Sequence, residues 1–215
     1  MRATLDRAGA ECETGRVANA LEELLVADAT AWLTWLQEHH GDEVGVELVL
    51  AKKGTTEPTS LTYDQALDEA LCHGWIDGQV RRRDEYTYRQ RFTPRRARSQ
   101  WSKRNVGIVE RLLAEGRMNP AGLAAVARAK ADGRWKAAYP GQKTIEVPDD
   151  LAQALAAEPR AQANFELLSS QNRYAVLFRI HSAKRGDTRA RRIESFVAML
   201  ARGETVHPQK RALNK

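Results

Sequence analysis

The stretch "ALCHGWIDG", residues 70 to 78, holds a thiol, an imidazole, an indole and a carboxylate within six positions, Cys72 to Asp77. A thiol beside an imidazole and an acid is the kit of a nucleophilic enzyme, with Cys72 attacking, His73 taking the proton and Asp77 orienting the base. The spacing opposes that reading. Neighbours on a helix point about 100° apart, so the side chains of Cys72 and His73 diverge. The residues fit a junction better: Cys72 near an apolar helix face with Leu71, His73 at the helix end, Gly74 as the turn, and a strand from Trp75. An acid beside Trp75 and Ile76 needs a partner or water. Strict alternation puts Trp75, Asp77, Gln79 and Arg81 on one sheet face, with Arg89 or Arg91 as cross-strand partners for Asp77.

A second chemistry-bearing group follows at once. Residues 81 to 104, "RRRDEYTYRQRFTPRRARSQWSKR", contain ten Arg or Lys and two acids, interleaved with Phe92 and Trp101. A helix starting near Ser99 to Ser102 would aim free amides at whatever precedes it, and arginines converging there add paired donors for phosphate, sulfate or carboxylate. Indoles at element boundaries, Trp75, Trp101 and Trp135, suit the wall of a pocket for a planar ligand. The candidate ligand-binding set is therefore Trp75, Asp77, Arg91, Arg95, Trp101, Ser102, Asn105 and Trp135, with no catalytic residue, metal ligand or cofactor assigned.

The elements that must position these residues can be read from period and punctuation. Residues 1–16 are polar and patternless, an expected flexible arm. Helical spacing runs from Val17 to His40, through Leu21, Leu24, Leu25, Trp32, Leu33, Trp35 and Leu36, with Asp28 as an interrupting N-cap. Residues 44 to 53 alternate as a strand, and Thr62 caps a helix that stops at Gly74. Two further strands, "WIDGQVRRR" and "YTYRQRF", are joined by a short acidic turn. Helices then start at Ser99 or Ser102 and at Pro120, stopping at Gly116 and Gly133. Residues 134 to 148 form a Pro/Gly-bearing connector, and three more helices follow it. The expected fold is α+β: a small three-stranded antiparallel sheet packed by helices, with an all-helical C-terminal segment closing over it. The expected units are 1–16, a core of 17–140, and 141–215 with a basic tail.

Bulk properties narrow the function further. The 215 residues carry a formal charge of +6, a mild excess concentrated in the stretch above. Cys12 and Cys72 fit neither a disulfide framework nor a zinc pattern. No secretory signal or membrane-length apolar run is visible, so a cytoplasmic protein without membrane insertion is expected. Helix-turn-helix, RRM and zinc-finger signatures are missing, which makes nucleic acid a weaker partner than a small-molecule or peptide ligand. The basic start of "TRARRIESF" conflicts with a helix dipole and points to a partner for Arg189, Arg191 and Arg192, such as Glu158 or Glu166.

In order along the chain, "LTYDQALDEALCHGWIDG", "RQRFTPRRARSQWSKRN", "RMNPAG", "AKADGRW" and "TRARRIESFVAMLARGE" resemble the bacterial YdeI/OmpD-associated, or bacteriocin-protection, proteins over roughly residues 28 to 205. The resemblance implies a resistance or stress-protection role. Joined to the residue reading, it gives a non-catalytic binding protein that sequesters an anionic or aromatic small molecule or antimicrobial. The alternatives are an enzyme with an Arg-anchored substrate using Asp77 or His73 as acid or base, and a nucleic-acid-binding protein.

Overall fold

The computed structural model describes residues 21–41 and 44–214. The predicted N-terminal arm, 1–16, and Cys12 lie outside the described residues. Four strands form one sheet: β1 (Glu23–Leu24), β2 (Val46–Ala51), β3 (Trp75–Arg82) and β4 (Thr87–Pro94). The order is β1-β2-β4-β3, with β1 parallel to β2 and the other pairings antiparallel. The sheet is thus four-stranded and mixed, not three-stranded and antiparallel. The extra strand replaces the helical run expected through Leu21, Leu24 and Leu25. Two residues of β1 pair with Glu47 and Leu48, more than twenty positions away, so a nonlocal ladder overrode the local helical spacing.

The helices follow their caps. In α1 (Ala29–His39) the Asp28 carboxylate accepts from the Ala31 amide at 2.9 Å. In α2 (Tyr63–Cys72) Thr62 and Gln65 satisfy each other's backbone amides in a capping box, and Gly74 leaves the helix at φ +76°. A Cβ on Gly74 would also press to 3.0 Å of the Ala121 carbonyl oxygen. Ser102 caps α3 (Lys103–Ala114), and Asn119 with Pro120 opens α4 (Pro120–Ala131).

One face of β2, β4 and β3 carries the core. Trp32 stacks on Trp35 at 5.2 Å and meets Trp75 and Phe92 at 6.4 and 5.8 Å. Both buried indole N–H groups are satisfied: Trp32 Nε1 donates to the Ala66 carbonyl at 3.1 Å, and Trp75 Nε1 to the His40 carbonyl at 2.9 Å. Burial of each such ring stabilises the unit by roughly 3 kcal/mol.

Strict alternation fails in β3. Asp77 faces Phe92 but Val80 faces Gln90, so Gly78 and Gln79 share one partner, Arg91, in a bulge. Trp75 and Asp77 stay on the core face, while Arg81 moves to the far one. A Cβ at Gly78 would crowd the Arg91 side chain at 3.3 Å.

The C-terminal helices are α5 (Asp149–Ala156), α6 (Pro159–Glu166), α7 (Ser170–His181) and α8 (Gly186–Ala201). They number four, not three, because the Ser169 hydroxyl accepts from the Asn172 amide and starts α7 afresh. They do not close over the sheet. Their apolar residues, Leu151, Phe165, Leu177 and Leu200 among them, form a separate cluster from the one around Trp32. Tyr139, in the connector, packs edge-on against Phe178 of α7 at 5.0 Å.

Candidate functional site

The connector after α4 is stitched to the residues before α3. Tyr139 donates its amide to the Trp101 carbonyl at 2.9 Å and accepts from the Lys103 amide at 2.8 Å. Arg134 reaches across with Nη1 to the Ser99 carbonyl at 2.7 Å, while it pairs with Asp132 at 2.7 Å. The stitch and the docking of Tyr139 on Phe178 leave a cleft of about 620 Å³ between the loop before α3, the connector and the end of α7.

The cleft is basic. Arg98, Lys103, Arg134, Lys136, His181 and Lys184 line it, against one acid, Glu146. Among the described residues, Arg98, Lys103, Lys136 and Lys184 have no carboxylate within ion-pairing distance, and Arg134 is already engaged. Arg134, with a smaller contribution from Lys184, holds the Asp132 carboxyl below the usual carboxylate range. Clustered cations facing one hollow raise its positive potential and draw anions to it. Half-buried Tyr139 is the aromatic ring open to the cleft, while Trp101, 2% exposed, borders it from beneath as part of the packed floor.

Trp101 is held from both sides. Its ring lies 3.6 Å from the Arg95 guanidinium carbon and 4.8 Å from the Trp135 ring. Arg95 is 9% exposed; Nη1 donates to the Gln100 carbonyl at 3.2 Å, while Nε and Nη2 have no partner. Burial pushes the guanidinium down to about 10, a shift that the charges of Asp77 and Tyr139 partly oppose.

The eight sequence-selected residues divide accordingly. Trp101 lines the cleft, with Arg95 and Trp135 against its ring and Ser102 next along the chain. Asn105 is buried in the first turn of α3, where its amide donates to Ser102 Oγ at 3.1 Å. Trp75 is fully enclosed in the core, because the helix that ends at Gly74 turns it onto Trp32 and Trp35. Asp77 accepts from the Tyr63 hydroxyl at 2.9 Å, not from Arg89 or Arg91. Arg91 lies on the far face of the sheet and donates to Glu47 Oε1 at 3.2 and 3.1 Å. The free amides expected at the start of α3 are largely taken. Those of Lys103, Asn105 and Val106 donate to Tyr139 O, Ser102 Oγ and Ser102 O.

The opening thiol, imidazole and acid do not assemble. Burial pushes the Cys72 thiol up to about 11, so it stays protonated near neutrality. The His73 Nδ1 lies 2.9 Å from the Glu69 carbonyl, one turn back in its own helix. Arg189 pairs with Asp150 at 2.6 Å, not with Glu158 or Glu166, and Arg192 bonds the Arg179 carbonyl.

Sequence reading missed Arg134, Lys136, Tyr139, His181 and Lys184. A usable signal was present: "RWKAAY" interleaves cations with rings as the stretch before α3 does. Among the described residues no three or more His, Cys, Asp or Glu converge as a metal centre, and no helix is long and apolar enough to cross a membrane.

Comparison with known families divides the chain. Residues 24–125 match a domain of unknown function, DUF8412, and residues 144–203 match the family described as Bacteriocin-protection, YdeI or OmpD-Associated. No curated protein and no solved structure matches the chain. The second match covers the helical unit that supplies His181 and Lys184 to the cleft, and its description points to a bacteriocin-protection-related role. It is a segment of the chain, residues 144–203, that is similar to the bacteriocin-protection, YdeI or OmpD-associated family.

Proposed function

We propose that the protein is a non-catalytic binding protein that sequesters a small anionic ligand with an aromatic or amphipathic body, and that this capture serves a protective role of the kind its family description names. One observation carries the reading: six basic side chains and one acid face a cleft of about 620 Å³, beside Trp101 and Tyr139. That volume falls in the usual range for small-molecule sites. An incoming anion relieves the mutual repulsion of Arg98, Lys103, Lys136 and Lys184, while its apolar body lies against Tyr139. Side chains rather than the amino end of α3 supply the donors, since three amides there are occupied. Asp77 and His73, the candidate acid–base groups, are not among the lining residues, which favours capture over turnover.

The test is a titration with inorganic pyrophosphate, followed by indole fluorescence and calorimetry. The reading expects saturable one-to-one binding that weakens about tenfold or more in the Lys103→Glu/Lys184→Glu variant, both lysines being exposed and outside the ion pairs of the described residues. Equal affinity in the variant removes the cleft from consideration. Tighter binding to a short single-stranded oligonucleotide than to pyrophosphate, with a steep loss in salt, moves the assignment to nucleic acid.

A further inference from the structure

A second concavity has the opposite character. It lies between α5 and α8, measures about 780 Å³, and is walled mainly by small apolar side chains. On α8, Gly186, Ala190, Ile193, Val197 and Ala201 recur at intervals of three or four, which puts them on one stripe of the helix. Ile193 is buried in the helical core and Val197 packs against it, whereas Ala190 and neighbouring Ala198 are exposed, so the alanine edge of this face is uncovered among the described residues. Ala154 and Ala157 of the α5 side form the facing wall.

The rim decides what fits. Glu158 and Glu194 border the groove, and among the described residues neither has a cation within ion-pairing distance; the remaining acid, Asp150, is neutralised by Arg189 at 2.6 Å. The groove therefore carries net negative charge on a chain of formal charge +6. A floor of alanine and glycine lets another helix approach closely, and i, i+3, i+4 spacing along α8 matches the apolar stripe such a helix presents. We propose that this groove docks a cationic amphipathic helix: an apolar stripe laid on Ala157, Ala190 and Ala198, with lysine or arginine beside Glu158 and Glu194. Pairing of two copies through the same surface is disfavoured, because a two-fold contact would bring these acids toward their own equivalents. The inference is independent of the basic cleft, whose charge selects the opposite kind of ligand.

The probe is a fluorescein-labelled Leu/Lys amphipathic peptide of about 18 residues, long enough to run beside the 16 residues of α8. A scrambled peptide of the same composition and a Leu/Glu amphipathic peptide serve as comparisons, all read by anisotropy on the full chain. The Leu/Lys peptide should bind at least tenfold more tightly than either. Glu158→Lys/Glu194→Lys should weaken it about tenfold, and Ala190→Arg, at an exposed position that leaves the core intact, should abolish it. Lys103→Glu/Lys184→Glu should not weaken it, which separates this result from failure of the cleft. Equal binding of the three peptides, or binding indifferent to Ala190→Arg, overturns the proposal. So does sedimentation showing a dimer that Ala190→Arg dissolves, since the groove would then be filled by a second copy.

Discussion

Arg95 offers the sharpest test of how the cleft is built. Its guanidinium is nine-tenths enclosed with two of its three nitrogens unpartnered, and burial pushes its pKa down to about 10. The charged form is thus disfavoured on folding. The cost is fully present below about pH 10 and is relieved as pH rises above that value, because the unfolded chain then holds more protons than the folded one. A fall of that size corresponds to a cost on the order of 3 kcal/mol. The stack on Trp101 offsets about 1 kcal/mol of it, and the bond to the Gln100 carbonyl about 1 kcal/mol more. Arg95→Met keeps the volume and the contact with the indole while removing the buried charge. It should therefore stabilise the protein by about 1 kcal/mol at pH 7.5, a rise in Tm of roughly 2–4 °C for a chain of this size. Urea denaturation at pH 7.5 and pH 10.5 measures it, and the gain should shrink at the higher pH. A loss of about 2 kcal/mol or more at pH 7.5 would refute this reasoning, since it would mean that the guanidinium has a compensating partner.

Four further outcomes follow from individual contacts. Arg91→Leu leaves Glu47, which is 4% exposed with Oε2 unpartnered, only the longer contact to Arg81 at 3.9 Å, and should cost about 2 kcal/mol in chemical denaturation; Glu47→Leu/Arg91→Leu should recover most of it. The Asp84 carboxyl, held down to about 2 chiefly by the Thr87 hydroxyl and amide, should titrate near that value by NMR. Its support of the β3–β4 turn is present above the ordinary value of 3.8 and lost as pH falls through about 2, so turn resonances should move only in that window. Gly122→Ala would drive a Cβ into the Cys72 carbonyl oxygen and push α4 off α2, at about 2 kcal/mol or more by thermal denaturation. Cys72, with its thiol pushed up to about 11, should resist a disulfide reagent at pH 8 in the native protein and react promptly in guanidinium.

What was legible in the sequence is mostly what is local. Asp28, Thr62, Ser102 and Asn119 cap helices because each side chain satisfies an amide two or three residues ahead, a signal contained in a few letters. β1 was hidden, since its two residues become a strand only by pairing with Glu47 and Leu48. The break between α6 and α7 was hidden by an apolar pattern that continues through "FELLSS". Gly78 inside a strand was a readable sign of a bulge, and the bulge is what separates Arg81 from Asp77. At the candidate site, Trp101, Arg95 and Trp135 come together as a packed stack, with Trp101 2% and Arg95 9% exposed, rather than as the open wall of a hollow. Trp75 did not join it, because turning at Gly74 sends that indole inward, and a sequence does not distinguish a boundary indole that faces a pocket from one that faces the core. The remaining walls come from Arg134, Lys136, Tyr139, His181 and Lys184, up to 86 positions from Arg98, where only the folded chain supplies the proximity.

A crystal structure of the protein grown with pyrophosphate measures the central claim most directly. The account predicts the diphosphate between Lys103 and Lys184, within hydrogen-bond distance of at least two of Arg98, Lys103, Lys136 and Lys184, beside Tyr139. Well-ordered protein whose cleft holds only solvent at saturating pyrophosphate, or the anion bound against Arg81 and Arg89 on the far face of the sheet, would contradict it.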